Sequence, residues 1–377
     1  MGYFLRFIRY IPFLRKQLNE IYFVHSIDMF VFSLIAIFVP IYLLSLGYPL
    51  SAVLLFFITK YACVIPFAFL VAWISNHYGL KHTLLFRLPF TFLFLLGLIQ
   101  VKTLPLPLPL LGVLDSFQTV LYWLPLHSLF TRSSHRDHLG LEVSKLYSFP
   151  TLLSIFAPLL GAGITLTFGF PALFLTAILL LLFSLIPLFY TPERRSHVNF
   201  KIKEGFDIFR KNPKFFLATG LNYIANTGEN ILWPVFVFLL LQSVFSIGMI
   251  GTLFALGSVG FALLIGRLSD RVQRSGLVKI GSFLLIFIWL LRFFVQQDIP
   301  AYILTLMAGF FMILISIPFM SITYQEAKST NIDEFIVYRE ISVALGRLFI
   351  LSLALVFPLT YLFPIISLAL VLFFTIF

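Results

Sequence analysis

Gly266-Arg-Leu-Ser-Asp270-Arg271-Val-Gln-Arg274 is a short charged segment set between two long apolar runs. A weaker copy, Ala72-Trp-Ile-Ser-Asn76-His77-Tyr-Gly79-Leu-Lys81, stands in the first half of the chain. Aligning Ser75 with Ser269 and Asn76 with Asp270 gives an offset of 194 residues. The same offset places Pro40, in Ile37-Phe-Val-Pro-Ile, on Pro234, in Ile231-Leu-Trp-Pro-Val. Two matches at one offset, each at the same depth of its half, indicate a duplicated chain. Duplicated membrane architectures generally move something across the bilayer.

Composition sets the class. Hydrophobic residues make up 60% of the 377 and charged residues 11%, with a mean hydropathy of +1.03. A soluble chain is closer to half apolar and a quarter charged, so an integral membrane protein is expected. One spanning helix takes about 20 apolar residues, which leaves room for about a dozen. The alternating ten-residue segments of a β-barrel are absent. The expected spans are 20–44, 50–74, 82–101, 105–130, 146–168, 170–190, 215–241, 246–268, 277–297, 300–324, 338–357 and 359–377. The expected fold is therefore all-α, with twelve transmembrane helices in two pseudo-symmetric six-helix bundles, 20–190 and 215–377. A basic leader, 1–19, precedes them, and a linker, 191–214, joins them.

The loops sort by charge. One side has Gly47-Tyr48-Pro49, Lys102, Gly169, Ser243, Asp298 and Pro358. The other has Arg6, Arg9, Arg15, Lys16, Lys81, Arg132, Arg136, Lys145, the run Arg194 to Lys214, and Arg267 to Lys279. The positive-inside rule then puts both termini in the cytoplasm, with the chain multi-pass in the cell membrane. The net charge of +11 expresses this bias, and no nucleic-acid partner is expected. The first span is too long for a cleaved signal; residues 3–18 read as a basic surface helix or an unstructured leader. Cys63 is the sole cysteine, so disulfides and thiolate metal clusters are excluded. Short loops and the absence of a glycosylation sequon favour a bacterial inner membrane, and a monomer is expected.

The twelve spans, the central linker and the repeated loop together resemble the major facilitator superfamily. That family's loop pattern is approximately Gly-x-Leu-Ala-Asp-Arg-x-Gly-Arg-Arg. Gly266, Leu268, Ser269, Asp270, Arg271 and Arg274 fit it, with Gln273 in place of a glycine. In the first copy Gly79 and Lys81 keep their classes, while Asn76 and His77 replace the acid and the arginine. Glycine permits the tight turn, and the aspartate can pair with arginines or a helix N-terminus. Such contacts can latch two bundles in one state and release in the other. With Asn76 uncharged, the first-half latch is expected to be the weaker. Ser154-Ile-Phe-Ala157-Pro158-Leu-Leu-Gly161-Ala162-Gly163 is similar to the Gly-Pro-x-x-Gly-Gly element of the antiporter branch, which implies export. In the fourth span Asp115 stands where antiporters often carry an arginine, with Gln118 retained.

Ionisable residues inside spans are costly and point to function. They are Asp28, Lys60, Asp115, Glu229 and Arg347. The resemblance implies that the first, fourth and seventh spans line a central cavity, so Asp28, Asp115 and Glu229 would face it. Such an acid would exchange a proton for a solute, expected to be cationic or amphipathic. The competing reading is static pairing, Lys60 with Asp28 or Asp115 and Arg347 with Glu229. Arg87 and Arg292 lie near span ends and are expected to reach the interface. Asn222, Asn226, Glu229 and Trp233 advance by three or four and so share a polar stripe, expected to contact solute or to bond between helices. His25 lies three residues from Asp28, as a proton relay or a packing residue, and Tyr122 and Trp123 are candidate aromatic walls.

Nothing marks catalysis. There is no phosphate-binding Gly-x-x-x-x-Gly-Lys-Ser/Thr loop, and His135, Asp137 and His138 make a poor metal set. The expected function is a secondary transporter of a small organic solute working by alternating access, without cofactor, driven by a proton gradient and exporting. A proton-coupled importer or a uniporter is the alternative. From other classes, a multi-pass enzyme or a non-transporting sensor or scaffold would share the composition.

Overall fold

The computed structural model describes residues 17–104, 106–184 and 200–377; the leader through residue 16, residue 105 of the expected fourth span, residues 185–190 of the expected sixth and linker residues 191–199 lie outside them. The described residues form helices and turns with no strand. In chain order the helices are α1 (Gln17–Ser45), α2 (Leu50–Tyr78), α3 (Leu80–Gln100), α4 (Leu108–Ser133), α5 (Leu139–Phe168), α6 (Phe170–Ser184), α7 (Ile202–Lys211), α8 (Pro213–Leu241), α9 (Val244–Arg271), α10 (Arg274–Arg292), α11 (Asp298–Ser329), α12 (Ile332–Val356) and α13 (Leu359–Ile376). Every expected span has a helical counterpart. Among the described residues nine helices are long and apolar enough to cross a membrane by length and composition. Outward-facing side chains such as Leu93, Leu179, Leu264 and Ile303 are themselves apolar, which suits acyl chains and would not suit water.

Several helices outrun their expected spans. α2 continues to Tyr78, α5 starts at Leu139, α9 continues to Arg271 and α12 starts at Ile332. These extra turns carry polar or charged residues, and apolar content registers only the part of a helix that lipid touches. α2 and α3 are separated by Gly79 alone, at φ +87°, a conformation closed to most L-residues and open to glycine.

Packing repeats between the halves. α2 lies on α4 and α9 on α11; α3 lies on α4 and α10 on α11. Two seams join the halves, α5 against α9 and α2 against α12. Both seams are antiparallel. Along the first, Gly140 meets Gly266 near one end and Pro158 meets Gly251 near the other. Along the second, Tyr338 packs on Phe69 and Arg347 on Tyr61. Lys81, Arg132 and Arg267 mark one end of the molecule as the basic end; the opposite one is the far end.

Three helices depart from regularity at mid-length. α1 breaks at residues 36–37 and α5 at 155–156. α8 contains a π-helical turn, Gly228–Leu232, a feature that recurs at functional sites.

Candidate functional site

A cavity of about 550 Å³ lies between the two seams, lined from both halves. That volume suits a small organic molecule. Its wall is mostly apolar and aromatic, and its charges come from α2, α4, α8 and α12.

Lys60 of α2 pairs with Asp115 of α4 at 2.8 Å, with side chains 14% and 8% exposed. The other Asp115 oxygen accepts from Gln118 at 2.7 Å and Thr119 at 3.4 Å, and Thr91 of α3 donates to Gln118 at 3.3 Å. Residues at i, i+3 and i+4 share one helix face, which is why the α4 set converges. Of the two partners expected for Lys60, the structure selects Asp115.

Arg347 of α12 takes a different position from the one expected. It does not pair with Glu229. Its two terminal nitrogens donate to Tyr61 Oη at 2.7 Å and Asn226 Oδ1 at 3.2 Å, and its Nε has no partner among the described residues. Its guanidinium lies 4.7 Å from the Tyr61 ring centre and 5.1 Å from that of Tyr223. Among the described residues no carboxylate forms an ion pair with it. The cavity therefore holds a cation satisfied only by neutral groups.

Glu229 pairs instead with Arg292, at 2.6 and 2.9 Å through both terminal nitrogens. The guanidinium is sandwiched by Trp233 and Trp289, 4.2 and 4.4 Å from their ring centres. Trp233 itself donates to Thr305 at 2.8 Å. In the first half Asp28 pairs with Arg87 at 2.5 Å, both fully buried. Arg87 lies 4.4 Å from the Tyr122 ring centre, and His25 Nδ1 is 2.5 Å from Tyr122 Oη. Arg87 and Arg292 thus correct the expectation that they reach the interface: neither is exposed. A buried acid on the first helix of each half holds an arginine of the third, and an uncompensated charge there would cost far more than the stretch to water saves.

The polar stripe on α8 runs through the π turn and stays on the cavity from Asn226 onward. Asn226, Glu229 and Trp233 line the cavity, while Asn222 is buried away from its lining. Sequence reasoning missed a second cluster, towards the basic end. Arg339 bonds Glu340 and, at 2.5 Å, Tyr223 Oη. His127 lies 3.8 Å from Glu340 and 2.7 Å from Tyr324 Oη. The signal was the adjacent opposite charges Arg339 and Glu340, which fell at a span end because α12 begins six residues before its expected start.

At the basic end Asp270 accepts from the backbone nitrogens of Gly140 and Leu141, at 2.7 and 2.9 Å. A carboxylate of the second half thereby caps α5 of the first, where unpaired N–H groups and the helix dipole favour an anion. Gly266 packs against Ser144 and the Gly140 carbonyl, closely enough that neither glycine has room for a side chain. Arg274 bonds the Ser269 carbonyl at 3.2 Å and Gln325 at 2.5 Å, while Arg271 is exposed. Arg132 pairs with Asp333, and Lys328 donates to the Ser134 carbonyl. In the first-half loop Asn76 is exposed and Lys81 turns inward to Glu20 at 2.9 Å.

At the far end Pro158 packs against Gly248 and Gly251 of α9, and Gly161 against the Leu34 carbonyl and Phe38 of α1. His135 bonds Glu142 at 2.9 Å. Among the described residues no group of three His, Cys, Asp or Glu side chains could hold a metal ion.

A family model described as Major Facilitator Superfamily matches residues 21–350. No curated protein matches the chain. Among solved structures, the human organic anion transporter MFSD10 (TETRAN) is similar at 14% identity and TM-score 0.71, over 97% of this chain and 99% of that one. A bacterial homologue of the iron transporter ferroportin, outward-facing with soaked iron, is similar at 14% identity and TM-score 0.69, over 95% and 98%. At this identity the likeness is one of fold.

Proposed function

The chain belongs to the major facilitator superfamily and is a membrane transporter rather than an enzyme, and on that premise we propose that it carries a small organic anion by alternating access. The observation that carries this reading is Arg347, a cavity-facing cation with no carboxylate partner among the described residues. A charge held among apolar walls is costly unless an opposite charge meets it, and a solute carboxylate or sulfonate would supply one. This departs from the cationic solute that the intramembrane acids suggested, because Asp28, Asp115 and Glu229 all have basic partners. The organic anions named for the human neighbour agree with it, but the weight rests on Arg347.

The remaining parts fit the same reading. The Asp270 cap on α5 would open and close the basic end as the two bundles, 20–190 and 215–377, rock about the cavity, with 191–214 joining them. The distribution of Lys and Arg supports a cytoplasmic basic end, and a proton gradient is the energy source, with no cofactor. Export is a second reading, favoured by the Pro158 and Gly161 contacts with α9 and α1.

Purified protein in proteoliposomes, offered radiolabelled benzenesulfonate, benzylamine and benzamide, tests the anion reading. The sulfonate should accumulate, and Arg347→Ala should cut its uptake about tenfold or more, the equivalent of the roughly 1.5–3 kcal/mol of a hydrogen bond to a charged group. Uptake of benzylamine in place of the sulfonate would overturn it.

A further inference from the structure

We propose that Lys60 is a second, concealed cation of the anion site, and that a proton on Asp115 uncovers it, coupling one proton to one anion in the same direction. This rests on the anion-transport reading above. Lys60 Nζ and the Arg347 guanidinium flank a single ring, 5.5 and 4.7 Å from the centre of Tyr61. Both line the cavity, but only Arg347 is free of a carboxylate there; Lys60 is occupied by Asp115 at 2.8 Å. An anion arriving with Asp115 ionised meets one available cation and a repelling carboxylate. With Asp115 protonated it meets two cations and no opposing charge.

The charges balance in each step. A proton from the aqueous side bonds to the Asp115 carboxylate and makes a neutral carboxyl. Lys60 keeps its own protons and its charge, and its contact passes to the incoming anion. On the other side the anion leaves, Asp115 returns its proton to water and Lys60 pairs again. Lys60, Asp115 and Arg347 carry one net positive charge when empty and ionised, two when protonated, and one again when a monovalent anion is bound. The empty and the loaded cavity therefore present the same charge to the bilayer.

Other titratable groups face α4 and must be separated from Asp115. α2 contributes Tyr61, α3 contributes Arg87, α1 contributes His25 and Asp28 beside Tyr122, and α11 contributes Tyr324 on His127. α12 contributes Arg339, Glu340 and Arg347. Only Lys60 makes an ion pair with Asp115 among the described residues.

The test is equilibrium binding of radiolabelled benzenesulfonate to the purified full chain, from mildly acidic to mildly alkaline buffer. A sulfonate keeps its charge across that range, so any slope belongs to the protein. Wild-type affinity should fall from a tight acid level to a weak alkaline level, by up to about tenfold per pH unit between them, because the binding-competent fraction falls by that factor. Asp115→Asn should bind at the tight acid level with no slope, and Lys60→Gln should bind more weakly than Asp115→Asn at every pH. If Asp115→Asn does not yield monodisperse protein, the Lys60→Gln/Asp115→Asn double variant, which removes the pair as a unit, should bind weakly and without slope. A wild-type slope retained in Asp115→Asn or in the double variant, or Lys60→Gln binding as tightly as Asp115→Asn, would overturn the switch and leave the Arg347 site standing. Sulfonate bound no better than benzenesulfonamide by acid-equilibrated wild type would instead overturn the anion reading itself.

Discussion

Arg292 gives both terminal nitrogens to Glu229, at 2.6 and 2.9 Å, with side chains 0% and 5% exposed. The bond ties α10 to the π turn of α8, and α13 packs against both helices. Arg87 and Asp28 tie α3 to α1 in the other half, where α6 packs against both. The two halves thus hold their first and third helices together by the same device at different depths.

Removing one partner of such a pair strands the other. Glu229→Gln should destabilise the protein by about 3–5 kcal/mol, and replacing Glu229 and Arg292 together by apolar residues should cost less. Thermal unfolding in detergent reads both. A double variant no more stable than the single one would show that Trp233 and Trp289, rather than the carboxylate, fix the arginine.

Tyr61→Phe removes the acceptor that orients one arm of Arg347 and keeps the ring. We expect KM for the sulfonate to rise several-fold, in line with the roughly 0.5–1.5 kcal/mol of one hydrogen bond, with the melting temperature nearly unchanged. A lowered kcat at constant KM would mean that Tyr61 acts in the conformational step.

At the basic end, Asp270→Asn keeps an acceptor for Gly140 and Leu141 but loses the charge at the α5 terminus. A loss of about 1–2 kcal/mol shifts a two-state balance by a factor of roughly 5–30. In a Cys63→Ser background with Ser33→Cys as reporter in the cavity wall, labelling by an impermeant maleimide from the basic side should quicken accordingly. Gly140→Ala should act in the same direction, because its methyl would meet the Asp270 carboxylate at 2.6 Å. Unchanged labelling in both would remove the latch.

Equal charge on the empty and loaded cavity has an electrical corollary. Sulfonate uptake driven by a pH step should be the same with and without an imposed membrane potential. Uptake that varies with the potential would mean that the anion crosses with a different number of protons.

Much of this was legible in the sequence. The offset between Ser75 and Ser269 marks the repeat, and Gly266 and Asp270, singled out by the loop pattern, meet Gly140 and the α5 terminus. Arg87 and Arg292 are not legible in this way, because distance from a span end does not measure distance from water, and burial is decided by partners on other helices. Asn222 shares the face of Asn226 but lies one turn nearer the basic end, and a helical stripe tells which face is polar without telling how far along it the cavity reaches. Arg339 and Glu340 are hidden by a boundary, and the static-pairing alternative sets Arg347 against Glu229 because charge alone cannot tell which helices touch.

The two ends of the cavity are fastened by different physics. At the basic end the fastenings are Asp270 on a helix terminus and Arg132 on Asp333; at the far end they are Pro158 among glycines, beside the breaks in α1 and α5. Arg132, 28% exposed, leaves its pair with Asp333 within reach of salt, and screening weakens ionic contacts that ions can approach, whereas excluded salts such as sulfate tighten apolar contact. Ionic strength should then act as a handle on sidedness: a more saline medium loosens one door while it tightens the other.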